Sequence, residues 1–157
     1  MNKRDIVTTL EKHPTKDTNN GHVNGSLTVI WRDWDKIINN PEMVYLNLVN
    51  PGEIKGPHIH KNRTSYFFCL DGKMVIIVRD REGKYHEIKT NSNEPKLVTV
   101  SKGIAAAIMN PSNNISKILV LADIAWRPND NEMINVEFEA VESDNPFYHN
   151  IFWKQNV

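Results

Sequence analysis

Between residues 43 and 122 the apolar positions fall in short runs, each closed by Gly, Pro, Asn or Asp. Met43 to Val49 (MVYLNLV), Ser65 to Leu70, Lys73 to Arg79, Lys84 to Lys89, Leu97 to Val100, Ile104 to Met109 and Ile115 to Ala122 (ISKILVLA) read as strands. They are rich in β-branched and aromatic residues and bounded by turn chemistry. Asp71-Gly72 is a hairpin signal between two of them. Pro51-Gly52, Glu82-Gly83 and the segment Asn110 to Asn114 read as further turns. Upstream, Leu27 to Trp34 predicts a strand with Val29 and Trp31 on one side. Val7 to Lys12 predicts one helical turn, and His13 to Ser26, rich in Thr, Asn, Gly and Lys, a loop. Downstream the pattern changes. Asp144-Asn145-Pro146 has a cap followed by proline at the first helical position, and Phe147, Tyr148, Ile151 and Phe152 follow at near-helical spacing. A short C-terminal helix is predicted there.

Strands recurring about every ten residues, with turns between, predict an all-β sandwich or barrel. The expected organisation is a single domain over residues 1–157, with a core from about 27 to 138 and a C-terminal extension from 139 to 157. Such a length suffices for a sizeable core. Formal net charge is zero, so no nucleic-acid or anionic-membrane surface is expected. Cys69 is the single cysteine and sits in an apolar run, which predicts a buried small hydrophobe and no disulfide framework. Residues 1–12 are charged and lack the apolar centre of a signal peptide. No apolar run approaches the ~20 residues of a membrane span. A cytoplasmic protein is expected.

The chemistry concentrates at His58-Ile59-His60. In a strand this spacing puts both imidazoles on one face. Two imidazoles on one face make either a metal site or an acid/base site. Five residues separate Gly52 from His58, and Gly72 follows the pair. That frame resembles the first cupin motif, whose glutamate position here falls on Thr64 or Ser65. Gly103 and Asn110 fit the second cupin motif, whose proline is here Ser101 and whose histidine is here Ala106. Two of four metal ligands are therefore missing, while a catalytic metal site takes about three from protein. No metal and no cofactor are expected. Tyr66 is assigned to the core, and His13, His22, His86 and His149 to the surface.

Lys55-Gly56-Pro57-His58-Ile59-His60-Lys61 is similar to the motif of the sugar-nucleotide cupins. It resembles most the dTDP-4-keto-6-deoxyhexose 3,4-ketoisomerases, then the dTDP-4-dehydrorhamnose 3,5-epimerases. A third relative is the zinc-bearing cupin half of capsular-polysaccharide reductases, whose end-of-chain pattern resembles Trp126 to Glu132. The resemblance runs from about Tyr45 to Glu137 and implies a cupin jelly roll. It further implies a metal-independent isomerase acting on a nucleotide-diphospho-4-keto-6-deoxy sugar, for surface-glycan biosynthesis. The implied catalytic residues are His58, His60 and Tyr45. Candidate substrate contacts are Lys55, Lys61, Arg63, Arg79 and Trp126; an indole such as Trp126 can stack on a base. The ketoisomerases use both histidines of the motif, the epimerases the first. A tyrosine late in the epimerase chain is here Trp126. The implied partner is a nucleotide sugar, in a homodimer. The rival readings are a non-catalytic sugar- or nucleotide-binding cupin, and a metal-dependent cupin with atypical ligands.

Overall fold

The computed structural model describes residues 2–139. The helix predicted from Asp144 onward lies outside these residues. A four-residue helix, α1 (Lys3–Ile6), leads into β1 (Val7–Thr9). Then come β2 (Lys12–Lys16), β3 (Val23–Thr28), β4 (Met43–Val49) and β5 (Ile54–His60). β6 (Ser65–Asp71), β7 (Lys73–Arg79), β8 (Tyr85–Asn91) and β9 (Lys96–Val100) follow. β10 (Ala105–Met109), β11 (Ser116–Ala122) and β12 (Met133–Asn135) complete the order. The strands predicted from residue 43 onward are all present, within two residues at either end.

Two five-stranded antiparallel sheets form the body, in the orders β1-β9-β6-β11-β4 and β12-β5-β10-β7-β8. From β4 to β12, consecutive strands alternate between the two sheets except at the β7–β8 pair, which is the jelly-roll arrangement. The inner faces meet in one core built from Val49, Phe67, Cys69, Val98, Val100, Ile118 and Val120 of the first sheet against Met74, Ile76, Val78, Ile88 and Ile108 of the second. The outer faces are also partly covered. Ile38 closes Tyr66, Phe68, Leu97 and Leu121 on the first sheet; Phe138 closes Val75, Ile77, Ala105 and Met109 on the second. β6 and β7 are thus buried on both sides, so they read as continuous apolar runs without alternation.

Several local expectations are corrected. The helical turn comes earlier than residues 7–12, at Lys3–Ile6, and Val7 to Thr9 pair with β9. Residues 13–26 are no loop: β2 and β3 form a hairpin, tied by Thr15 Oγ1 to Asn24 Oδ1 at 2.7 Å. Its side chains are mostly exposed, so no apolar alternation marks it. The strand expected over residues 27–34 is confined to Leu27 and Thr28, at the end of β3; Ile30, beyond it, packs on the outer face of the first sheet. Asp71-Gly72 does not close a hairpin, because β6 and β7 belong to different sheets. Gly72 makes a sharp corner at φ +86°, where a Cβ would lie 2.9 Å from Ser116 Oγ. Ser116 Oγ donates to Lys73 O at 2.5 Å and so fixes the corner. The hairpin lies one strand later, between β7 and β8. No described helix is long and apolar enough to cross a membrane.

Candidate active site

β4 ends the order of the first sheet, and β5 of the second is flanked only by β10 and the three-residue β12. A cavity of about 90 Å³ opens between β4 and β5. Tyr45 and Asn47 line it from β4; Lys55, His58 and His60 from β5; Ser65 and Phe67 from β6; Val100, Ala106 and Ile108 close it behind. Strand alternation brings His58 and His60 to one face, but Lys55 is an odd number of residues away. A bulge resolves this. His58 pairs with Ala106 and Lys55 with Ile108, so three steps on β5 oppose two on β10. Gly56 provides the bend, at φ +91°, with room for no Cβ: one would lie 2.8 Å from Ala106 O.

The two imidazole rings stand edge to face, with centroids 6.2 Å apart and planes at 76°. His60 Nδ1 donates to Glu132 Oε2 at 2.5 Å. The other carboxylate oxygen, Oε1, accepts the backbone N–H groups of Asn62 at 2.8 Å and Arg63 at 2.9 Å. Burial pushes the Glu132 carboxyl up, but the Asn62 N–H, the His60 ring and the Arg63 N–H together hold it below the usual range. The carboxylate therefore fixes the His60 ring and leaves Nε2 as its free nitrogen. Burial, with the neighbouring His60, lowers the pKa of His58 below 6.5, against a smaller raising effect of the Asn135 side chain. His58 Nδ1 is buried with no hydrogen-bond partner. Burial pushes the Tyr45 phenol above its ordinary 10, partly offset by the Arg63 charge, so it carries its proton at neutral pH.

Of the residues singled out from sequence, the cavity brings together Tyr45, Lys55, His58 and His60. Lys55 Nζ donates to Asn47 Oδ1 at 2.5 Å, across the gap between the two strands. Lys61 is exposed just beyond β5. Arg63 is not among the residues lining the cavity: it is buried, donates from Nε to Ile124 O at 3.0 Å and lies 3.9 Å from Asp130. It pins the loop of residues 123–132 beside the site. Trp126 is exposed on that loop, with its backbone N–H directed at Met43 Sδ. Arg79 is not brought to the cavity. It donates to Glu137 O at 3.1 Å and stacks over Phe138, on the outer side of the second sheet. His86, assigned to the surface, is buried and meets Asp80 Oδ2 at 2.7 Å. That bond first, with N–H groups of Lys84 and Glu82, lowers Asp80 to about 2 against the effect of burial.

Glu132, Asn47 and Ser65 are site residues that sequence reasoning did not select. Glu132 is 72 positions from His60, and nothing local in the sequence marks the pair. Among the described residues, no three His, Cys, Asp or Glu side chains converge as a metal would require. The positions of the missing cupin ligands, Ser65 and Ala106, both line the cavity.

A double-sheet jelly roll with an imidazole pair in its cleft defines the class. Within that class, residues 8–141 match the family described as FdtA: WxcM-like, C-terminal, and the chain belongs to it. Its fold is similar to that of a dTDP sugar isomerase from Desulfovibrio desulfuricans, with a TM-score of 0.72 and 15% identity over 92% of this chain and 90% of that one. ChmJ, a 3'-monoepimerase from Streptomyces bikiniensis solved in complex with dTDP-quinovose, has a TM-score of 0.68 and 13% identity, covering 83% of this chain and 68% of that one. The capsular polysaccharide assembling protein CapF from Staphylococcus aureus is 22% identical over 64% of this chain, with a TM-score of 0.59. The match covers only 29% of the CapF chain. At these identities the likeness establishes the fold. No curated protein matches the sequence.

Proposed function

We propose that the protein is an isomerase or epimerase of a nucleotide-diphospho-4-keto-6-deoxy sugar, using histidine acid/base catalysis without a metal. The observation that carries this reading is the pair of imidazoles in one cleft, one with a depressed pKa and one braced by a carboxylate. Membership of the WxcM-like family and the fold shared with dTDP-sugar isomerases and epimerases support it.

The reaction begins with removal of a proton from a carbon next to the carbonyl. His58, neutral at pH 7, takes that proton. The electron pair of the C–H bond moves to the carbonyl oxygen and gives an enolate or enediolate. Tyr45, holding its proton, donates a hydrogen bond to that oxygen. A proton is then returned from Nε2 of His60, which serves as the imidazolium paired with the Glu132 carboxylate. In a ketoisomerisation the hydroxyl on the deprotonated carbon gives its proton to the former carbonyl oxygen, and the returning proton goes to the former carbonyl carbon; in an epimerisation it returns to the opposite face of the carbon that lost one. Both balance without oxidant or reductant. Lys55 meets the diphosphate at the cleft mouth, exchanging its bond to Asn47 for phosphate oxygens.

The same reading makes the protein a cytoplasmic homodimer serving surface-glycan synthesis. Val44, Leu46 and Leu48 are exposed along the edge strand β4 and supply an apolar stripe for a second copy. Calorimetry tests the substrate class. A dTDP-hexose is expected to bind at least about tenfold tighter than the free hexose, because charge-assisted bonds to phosphate are the strong kind. Equal affinities would reject this cleft as a nucleotide-sugar site.

A further inference from the structure

Ser65 opens β6 at the position where cupin metal sites carry a glutamate. Ser65 lines the cavity together with His58, His60 and Tyr45. The residue is only 2% exposed, and its Oγ is buried without any hydrogen-bond partner. Its neighbours on the inner face, Phe67 and Val100, offer no polar atom from their side chains. Buried hydroxyls almost always have a partner, because leaving one unpaired forfeits its bond to water. Ser116, the other buried strand serine among the described residues, has its partner, donating to Lys73 O and accepting from Lys73 N. At Ser65 an alanine would fill the space without the polar penalty.

We propose that Ser65 is a specificity-determining residue whose Oγ hydrogen-bonds a ring hydroxyl of the sugar beside the carbon served by His58 and His60. The inference rests on the nucleotide-sugar reading above and adds a requirement to it. A hydroxyl side chain both donates and accepts, which is what a sugar hydroxyl also does. Sites built to bond a substrate hydroxyl reject analogues that lack it far more strongly than apolar pockets reject a change of size. Ser65 therefore selects sugars that keep the hydroxyl next to the reacting carbon over their deoxy counterparts. The candidates are the hydroxyls at C2 and C3, which lie beside and on C3, the carbon deprotonated in a 3,4-ketoisomerisation or a 3-epimerisation.

The test compares wild type with Ser65→Ala, using dTDP-quinovose and its 2-deoxy and 3-deoxy analogues in calorimetry, with a thermal melt for each protein. Wild type is expected to bind dTDP-quinovose about ten- to hundredfold better than one of the two analogues. Ser65→Ala is expected to bind dTDP-quinovose and that analogue alike. The variant is also expected to melt at the same temperature as wild type or higher, since it removes an unpaired buried hydroxyl. A structural role would give the opposite, a lower melting temperature with discrimination kept. Unchanged discrimination in Ser65→Ala, or a wild type indifferent to both deoxy positions, overturns the assignment of Ser65 while leaving the nucleotide-sugar reading standing. A wild type that binds no dTDP-hexose overturns both.

Discussion

Glu132 carries no reacting group, yet it decides what His60 can do. Its two oxygens bind the His60 ring and two backbone N–H groups of the turn after β5. Glu132→Gln keeps the shape but places a donor where His60 Nδ1 needs an acceptor, or leaves the Asn62 and Arg63 N–H groups without one. The ring then loses its orientation or its tautomer. The expected result is a fall in kcat of about 10²–10⁴-fold, the usual worth of a positioned acid or base, with KM little changed. Steady-state kinetics on dTDP-4-keto-6-deoxyglucose measure it, and a wild-type kcat would remove Glu132 from the mechanism. The histidine pair was legible in the sequence because its signal is local, a spacing within one strand; Tyr45 and Lys55 were named only through the resemblance to the family motif. Glu132 was not legible, because its contact joins distant segments. Arg63, selected as a substrate contact, is instead held by Ile124 O, and His86, assigned to the surface, is buried against Asp80; in neither case does the sequence mark the partner. Cys69 was read correctly as inert: burial first, and then the Asp71 charge, push its thiol up to about 11.

The decisive element is β5, whose bulge turns Lys55 toward the same cleft as the histidines. Gly56 makes the bulge possible. Gly56→Ala puts an L residue at φ +91° and a methyl 2.8 Å from the Ala106 carbonyl, and that contact is backbone, which cannot swing aside. A loss of roughly 2–4 kcal/mol of stability is expected from strain and overpacking together. Urea unfolding measures it, and an unchanged midpoint would contradict the bulge geometry. Period-2 alternation could place the histidine pair, but it has no way to register an extra residue, so the position of Lys55 was not legible. The same limit applies at Asp71-Gly72. The dipeptide announces a reversal, but whether the chain returns to the same sheet or passes to the other depends on pairing with β8, β9, β10 and β11. The β2–β3 hairpin has exposed polar faces, so burial left no mark in its sequence.

At the scale of the molecule, two sheets share one core and part between β4 and β5, so the cleft opens where one sheet ends against the other. The all-β class was legible because the strands from β4 to β11, β5 apart, are short runs bounded by turn residues, and the jelly roll followed from the family resemblance. The family frame around His58 was legible for the same local reason. The side of the sheet on which Arg79 lies was not, and the structure assigns it to the layer under Phe138. The central claim is that His58 abstracts a proton beside the carbonyl of a nucleotide-linked keto-sugar. NMR of solvent-deuterium incorporation into dTDP-4-keto-6-deoxyglucose, with wild type and with His58→Asn shown folded by thermal melt, tests it most directly. Asparagine keeps polarity and approximate size but accepts no proton near neutral pH. Wild type is expected to exchange a proton adjacent to the carbonyl, and folded His58→Asn to lose that exchange by at least about 10²-fold. Wild-type-like exchange in the folded variant would contradict the account.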